Sequence, residues 1–215
     1  MNVLSLMFSL KGSCQTIIGT RTAGLDALRL AAARIASGEW NSAIVGAAEE
    51  YDELVNETYR HCGLYARGDG TGFTTSAGAV TLILESRESL ERRGGRARAR
   101  VGRSAGGRAT SGETIHLTDE ILRKIGDPSA VMSSANATWI DRAERAGITR
   151  NGRATPIGSF YRHTGECFSV TPLAAIAGVL ALGHFPDPAL DSPFGVLCTD
   201  YSSIVSGAEI VLIRR

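Results

Sequence analysis

An alanine-rich segment between two short apolar runs constrains the fold of this chain more than any other feature. Residues 14–20 form a β-branched run that predicts a buried strand, and residues 42–48 form a second run with apolar side chains on both faces. Between them, residues 24–37 place leucine and isoleucine on one helical stripe and alanine over most of the rest. Because alanine allows close approach on several sides, we expect a helix packed tightly between neighbours.

The same alternation of strand and helix continues along the chain. Residues 51–75 indicate loop and a short helix, residues 77–85 a strand and residues 86–93 a charged helix, before a break at Gly94 and Gly95. Residues 96–101 alternate with period two, typical of a strand. The second half predicts helix 117–125, strand 130–135, helix 139–146, strand 155–159, helix 170–183 and strands 195–200 and 207–213. This order predicts an α/β layered fold with mixed sheets and helices between them.

Charge and cysteine content exclude several functions. The 215 residues carry a net charge of +1, so we expect no global attraction to nucleic acid or to a membrane. The four cysteines lack the close spacing of metal ligands, and the pattern predicts no metal site, no disulfide framework and no cofactor.

The apolar start of the chain is not typical of a secretion signal. It has no basic residues ahead of the apolar run, and Lys11 interrupts that run where a cleavage site would need small residues. No apolar run approaches the ~18 residues that a membrane span needs. We therefore expect a soluble, cytoplasmic protein.

Three segments in this order resemble the β-ketoacyl synthases of the thiolase superfamily. Residues 11–49 resemble the strand, nucleophile elbow and helix of that family, residues 72–85 its GF…GEGAG…LVLE strand, and residues 179–182 the end of a later helix. The resemblance implies a thiolase-like fold that begins just before the nucleophile strand. On this interpretation residues 1–95 are a remnant of the N-terminal half, without its first strand and helix units, and residues 96–215 are the C-terminal half.

The resemblance also places the family's catalytic residues. Arg21 stands at the elbow where the family has its nucleophilic cysteine, and arginine cannot accept an acyl group. Asn136 stands at the first histidine position, and Glu166 at the second. The family's glycine-rich gating loop corresponds to residues 202–207, which contain only one glycine. We expect a catalytically inactive protein in which Arg21, Asn136 and Glu166 form a buried polar cluster. In that cluster Glu166 is expected to form an ion pair with Arg21.

Two other functional classes stay open at this point. One is an independent acyltransferase, cyclase or dehydratase that uses Glu166, His163 or Asp200, and a new catalytic group made of Glu166, Cys167 and His163 is a related alternative. Cys167 is otherwise expected to be a small buried apolar residue. The other class is an acyl-chain binding module.

The sequence also resembles chain-length factors, which implies a protein partner. In the family the strand before the elbow pairs across a dimer axis. Here that segment consists of Cys14, Gln15, Thr16, Ile17, Ile18, Gly19 and Thr20. The expected partner is a complete ketosynthase subunit or a second copy, which would cover Ile17, Ile18, Ile44 and Val45. An acidic acyl carrier protein is a further possible partner for Arg96, Arg98 and Arg100, which otherwise form a solvated strand face.

Overall fold

The computed structural model describes residues 6–7, 9–19, 21–110, 112–152, 155, 157–159, 161–182 and 193–213. Its helices are α1 (Ala23–Ala36), α2 (Glu53–His61), α3 (Arg87–Arg92), α4 (Thr114–Lys124), α5 (Trp139–Ile148), α6 (Tyr161–Thr164) and α7 (Val170–Leu182). Its strands are β1 (Ser42–Glu49), β2 (Gly78–Glu85), β3 (Ala99–Arg108), β4 (Ala130–Ser133), β5 (Ile157–Ser159), β6 (Phe194–Thr199) and β7 (Ile204–Leu212). None of these helices is long and apolar enough to cross a membrane.

The strands form two separate sheets within the described part of the chain. One contains β1 and β2, paired antiparallel over eight residue pairs. The other has five strands in the order β3-β7-β6-β4-β5, in which β4 lies parallel to both β5 and β6. The parallel neighbours β4 and β6 end at the same edge of the sheet, so the loops that follow them lie side by side.

Helices fill the space between the two sheets and cover one outer side. Helices α1 and α7 contribute Leu25, Leu28, Leu173 and Val179 to a core that also includes inward side chains of both sheets. On the opposite face of the five-stranded sheet, α4 and α5 pack through a second apolar cluster. The backbone of α1 packs closely against Ser169 at Gly24, where an added Cβ would lie 2.0 Å from the carbonyl oxygen of Ser169. The layers are therefore helix, sheet, helix, sheet.

The predicted elements are confirmed with small shifts of their ends. The alanine-rich helix, the strand that follows it and the alternation of the second half are all present. The sequence missed the short helix α6 and a 3₁₀ turn at Arg150–Gly152. The predicted strand at 96–101 begins only at Ala99, and four of the residues assigned to a gating loop, 204–207, begin strand β7.

The prediction of a buried strand at residues 14–20 is wrong. Residues 13–19 have no strand assignment, and Ile18 is 95% exposed; Thr20 lies outside the described residues. β-branched side chains favour extended backbone, but burial also requires a neighbouring strand, and the described structure places none there. Val45 was expected on the open surface and is instead buried against the helices between the sheets.

Candidate functional site

The candidate site lies where the loops after β4 and β6 meet the start of α1. Ser134 and Asn136 follow β4, and Asp200 and Tyr201 follow β6. Arg21 precedes Thr22, the N-cap of α1, and reaches into the gap between these loops. The parallel pairing of β4 and β6 thus brings together residues that are more than 60 positions apart in the sequence.

Arg21 is the largest fully buried side chain at the site, with an exposed fraction of 1%. Its guanidinium donates to the carbonyl oxygens of Ser134 and Thr199, both at 2.5 Å. It also donates to both carboxylate oxygens of Glu166, at 3.2 and 2.8 Å. Burial lowers the pKa of Arg21, but the surrounding groups, Glu166 foremost, raise the pKa above its ordinary value overall. The guanidinium is therefore permanently charged and rigidly held.

Glu166 has the hydrogen-bond partners that a buried carboxylate needs. Besides the two bonds from Arg21, it accepts one from Asn136 Nδ2 at 2.6 Å and one from the backbone N–H of Phe168 at 3.1 Å. Phe168 adopts a φ of +34°, an uncommon conformation for a non-glycine residue. With four donors around it, this carboxylate has little capacity left to act as a base.

Asn136 also has hydrogen-bond partners at both its amide nitrogen and its amide oxygen. Its Nδ2 donates to Glu166 and to the hydroxyl oxygen of Tyr201 at 2.7 Å, and its Oδ1 accepts from Thr138 at 2.6 Å. The next residue, Ala137, has a φ of +61°. The backbone conformation on this side of the site is therefore also uncommon, as it is at Phe168.

A second buried carboxylate, Glu144 of α5, lies behind the first. It accepts from Ser133 Oγ at 2.5 Å and from the backbone N–H and hydroxyl of Ser134 at 2.9 and 2.6 Å. Burial raises the pKa of Glu144, and the bonds from Ser133 and Ser134 oppose that rise. The sequence around Glu144 does not predict a buried carboxylate, because its pattern is that of an ordinary charged residue on a helix.

Aromatic rings cover the charged cluster on its outer side. Tyr201 lies under the Arg21 guanidinium, 5.6 Å from its Cζ, and packs against Tyr59 and Phe73. Tyr59 stacks on Phe168 with ring centres 5.2 Å apart. Burial, and then Glu166, raise the pKa of Tyr59. These rings come from distant segments, so the sequence did not predict their association.

The two buried cysteines near the cluster are poorly suited to nucleophilic catalysis. Burial raises the pKa of Cys198, whose Sγ lies 3.2 Å from the carbonyl oxygen of Arg21 as a donor. Cys167 is 4% exposed, as expected for a small buried residue, and burial raises its pKa too. Within the described residues no group of three or more histidine, cysteine, aspartate or glutamate side chains could hold a metal ion.

A shallow cleft of about 700 Å³ opens beside the cluster. Its lining includes hydroxyl side chains at Thr71, Thr74, Ser76 and Thr164, together with Arg67. At the wall of the cleft, the backbone of Thr74 and Ser76 is hydrogen-bonded to the backbone of Glu166 at 2.8 and 2.9 Å. Alanine and glycine residues and Tyr161 also line the cleft, so its wall combines polar and apolar groups.

Two groups of predicted site residues lie apart from the cluster. Cys14 to Gly19 form an exposed segment before it, with no strand or helix assignment. Arg96, Arg98 and Arg100 are exposed at the start of β3, where Arg98 donates to the carbonyl oxygen of Leu180 at 2.9 Å. Asp200 is buried next to the cluster, whereas the side chain of His163 lies outside the described residues.

These layers, with a site at the carboxyl ends of β4 and β6, define a thiolase-like α/β fold. Among solved structures, an oxazolomycin ketosynthase domain from Streptomyces albus has a TM-score of 0.79 at 19% identity, over 98% of this chain and 48% of its own. A ketosynthase of the bacillaene synthase from Bacillus subtilis has a TM-score of 0.81 at 17% identity, over 99% and 48%. The ishigamide ketosynthase/chain length factor has a TM-score of 0.73 at 21% identity, over 98% and 60%.

The fold of this chain is therefore that of the β-ketoacyl synthases, as the sequence resemblance predicted. The chain spans about half the length of the first two ketosynthases. No known family model matches the sequence, and no curated protein matches it. At these identities the comparisons establish the fold, and the activity has to be argued from the site.

Proposed function

We propose that this protein is a non-catalytic subunit, similar to a chain-length factor, that assists a complete β-ketoacyl synthase in assembling polyketide or fatty-acyl chains in the cytoplasm. The observation that carries this proposal is the closed network around Arg21. The residue at the expected nucleophile position is a buried guanidinium, bonded to Glu166 and to two backbone carbonyls.

Acyl transfer through a covalent intermediate needs a nucleophile that can reach the substrate carbonyl. Arg21 is permanently charged and donates to its neighbours, so it has no lone pair to offer. Decarboxylation needs donors directed at a developing enolate. Here Asn136 Nδ2 is bonded to Glu166 and Tyr201, and the Glu166 carboxylate would repel an enolate. Both halves of the condensing reaction thus lack suitable groups at these positions.

An exposed apolar segment supports a protein partner. Ile17 is 37% and Ile18 95% exposed in the segment that the family resemblance assigns to the dimer axis. Among the solved structures of this fold is the ishigamide ketosynthase/chain length factor, covering 98% of this chain. We assign Cys14 to Thr20 to contact with a complete ketosynthase subunit, or with a second copy, on this basis.

Arg96, Arg98 and Arg100 are proposed as contacts for an acidic acyl carrier protein. Their exposure supports this role. A further solved structure of this fold holds a type II polyketide acyl carrier protein in complex with its ketosynthase. Charge reversal at Arg98 and Arg100 should abolish a salt-sensitive interaction with a carrier protein, as measured by titration at low and high ionic strength. Unchanged binding would assign these arginines to the solvated surface.

Co-expression with a complete ketosynthase from the same genome, tagged on one partner, tests the assisting role. We expect the two to co-purify and Ile18→Asp to abolish the complex, while Ile213→Asp, at an exposed isoleucine just after β7, leaves it intact. Arg21→Cys alone should restore no condensing activity, because Asn136 and Glu166 remain. A chain that never co-purifies, or an active Arg21→Cys variant, would contradict the proposal.

An independent enzyme is the second candidate, and one observation favours it. Asp200 is 1% exposed, and its Oδ2 has no hydrogen-bond partner within the described structure. A buried carboxylate oxygen without a hydrogen-bond partner is a candidate contact for a ligand, an ion or a water molecule. This candidate requires turnover of an acyl thioester by the purified chain that is lost in Asp200→Asn.

A further inference from the structure

We draw no further inference here: the strongest candidate, the exposed apolar face of the β1–β2 sheet around Ile44 and Ile83, carries no proposal because nothing in the structure shows what covers it.

Discussion

The five-stranded sheet and the β1–β2 sheet are built from similar apolar strands but differ in how they are covered. Every residue of β4 and of β6 is buried, because helices pack on both sides of that sheet. In β1 only Val45 is fully buried. Coverage, more than strand composition, therefore decides whether an apolar side chain stabilises this fold or is available to another protein.

The same contrast applies to charges. Arg21, Glu166 and Glu144 lie at the end of the fully covered sheet, where an unpaired charge would be costly, and each has several hydrogen-bond partners. Charged side chains around the open sheet, such as Arg87 and Glu50, are solvated. Substitutions should consequently have large effects at the covered sheet and small effects at the open one.

The largest effect is expected from breaking the buried ion pair. Arg21→Met leaves the Glu166 carboxylate buried without its cation, and we expect a loss of about 3–5 kcal/mol in the free energy of unfolding, measured by urea denaturation. The double variant Arg21→Met/Glu166→Met removes both charges and should recover a large part of that loss. A single variant that costs less than about 1 kcal/mol would show that the pair is hydrated.

Isoleucine truncation compares the two sheets directly. Ile210 of β7 is 1% exposed and Ile83 of β2 is 74% exposed. Ile210→Ala should cost about 2–5 kcal/mol of unfolding free energy, since it leaves a cavity in the central core. Ile83→Ala should cost less than about 1 kcal/mol, mainly through β-propensity. Equal losses in the two variants would refute the difference in coverage.

Two glycines test the same contrast through added volume. An alanine Cβ at Gly24 would lie 2.0 Å from the carbonyl oxygen of Ser169, so Gly24→Ala must move backbone and should cost about 1–3 kcal/mol. At Gly46 the nearest atom is 3.5 Å away, and Gly46→Ala should change stability by less than about 0.5 kcal/mol. Thermal unfolding of both variants measures the difference, and a destabilised Gly46→Ala would mean that the open sheet is covered in solution.

The smallest effect concerns the pH dependence of stability. Burial raises the pKa of Glu144 in the folded state above its ordinary value of 4.5. The folded protein then holds this proton more tightly than the unfolded chain. The corresponding stabilisation is present below about pH 4.5 and is lost as the pH rises through the folded pKa.

Glu144→Gln removes this titration. We therefore expect its free energy of unfolding to fall less than that of the wild type as the pH rises from about 4.5, measured by denaturation across the range. Titrations elsewhere are largely common to both proteins. Parallel pH profiles would contradict the raised pKa.

Local pattern predicted most of the fold because each element carries its own signal. The alanine stripe of α1 and the apolar runs of β1, β2 and β6 gave correct element types with ends displaced by a few residues. The resemblance in three segments also placed Arg21, Asn136 and Glu166 at one site, and the structure brings these three together. Their lack of catalytic activity and the division at residue 95 stay predictions.

The rest depended on contacts between distant segments. The partners of Glu144 and the packing of Tyr59 on Phe168 join residues that no local periodicity relates. The wrong strand at 14–20 has the same origin, because a β-branched run specifies extended backbone but not the strand beside it.

The sequence by itself determined the layered α/β architecture, which follows from residue type and order, and its family resemblance predicts Arg21 at the nucleophile position. The tertiary structure alone decided that the carbonyl oxygens of Ser134 and Thr199 also hold Arg21, and that one sheet is covered on both faces while the other is open. Burial and pairing depend on contacts between segments that are distant in the sequence, and local sequence patterns do not specify those contacts.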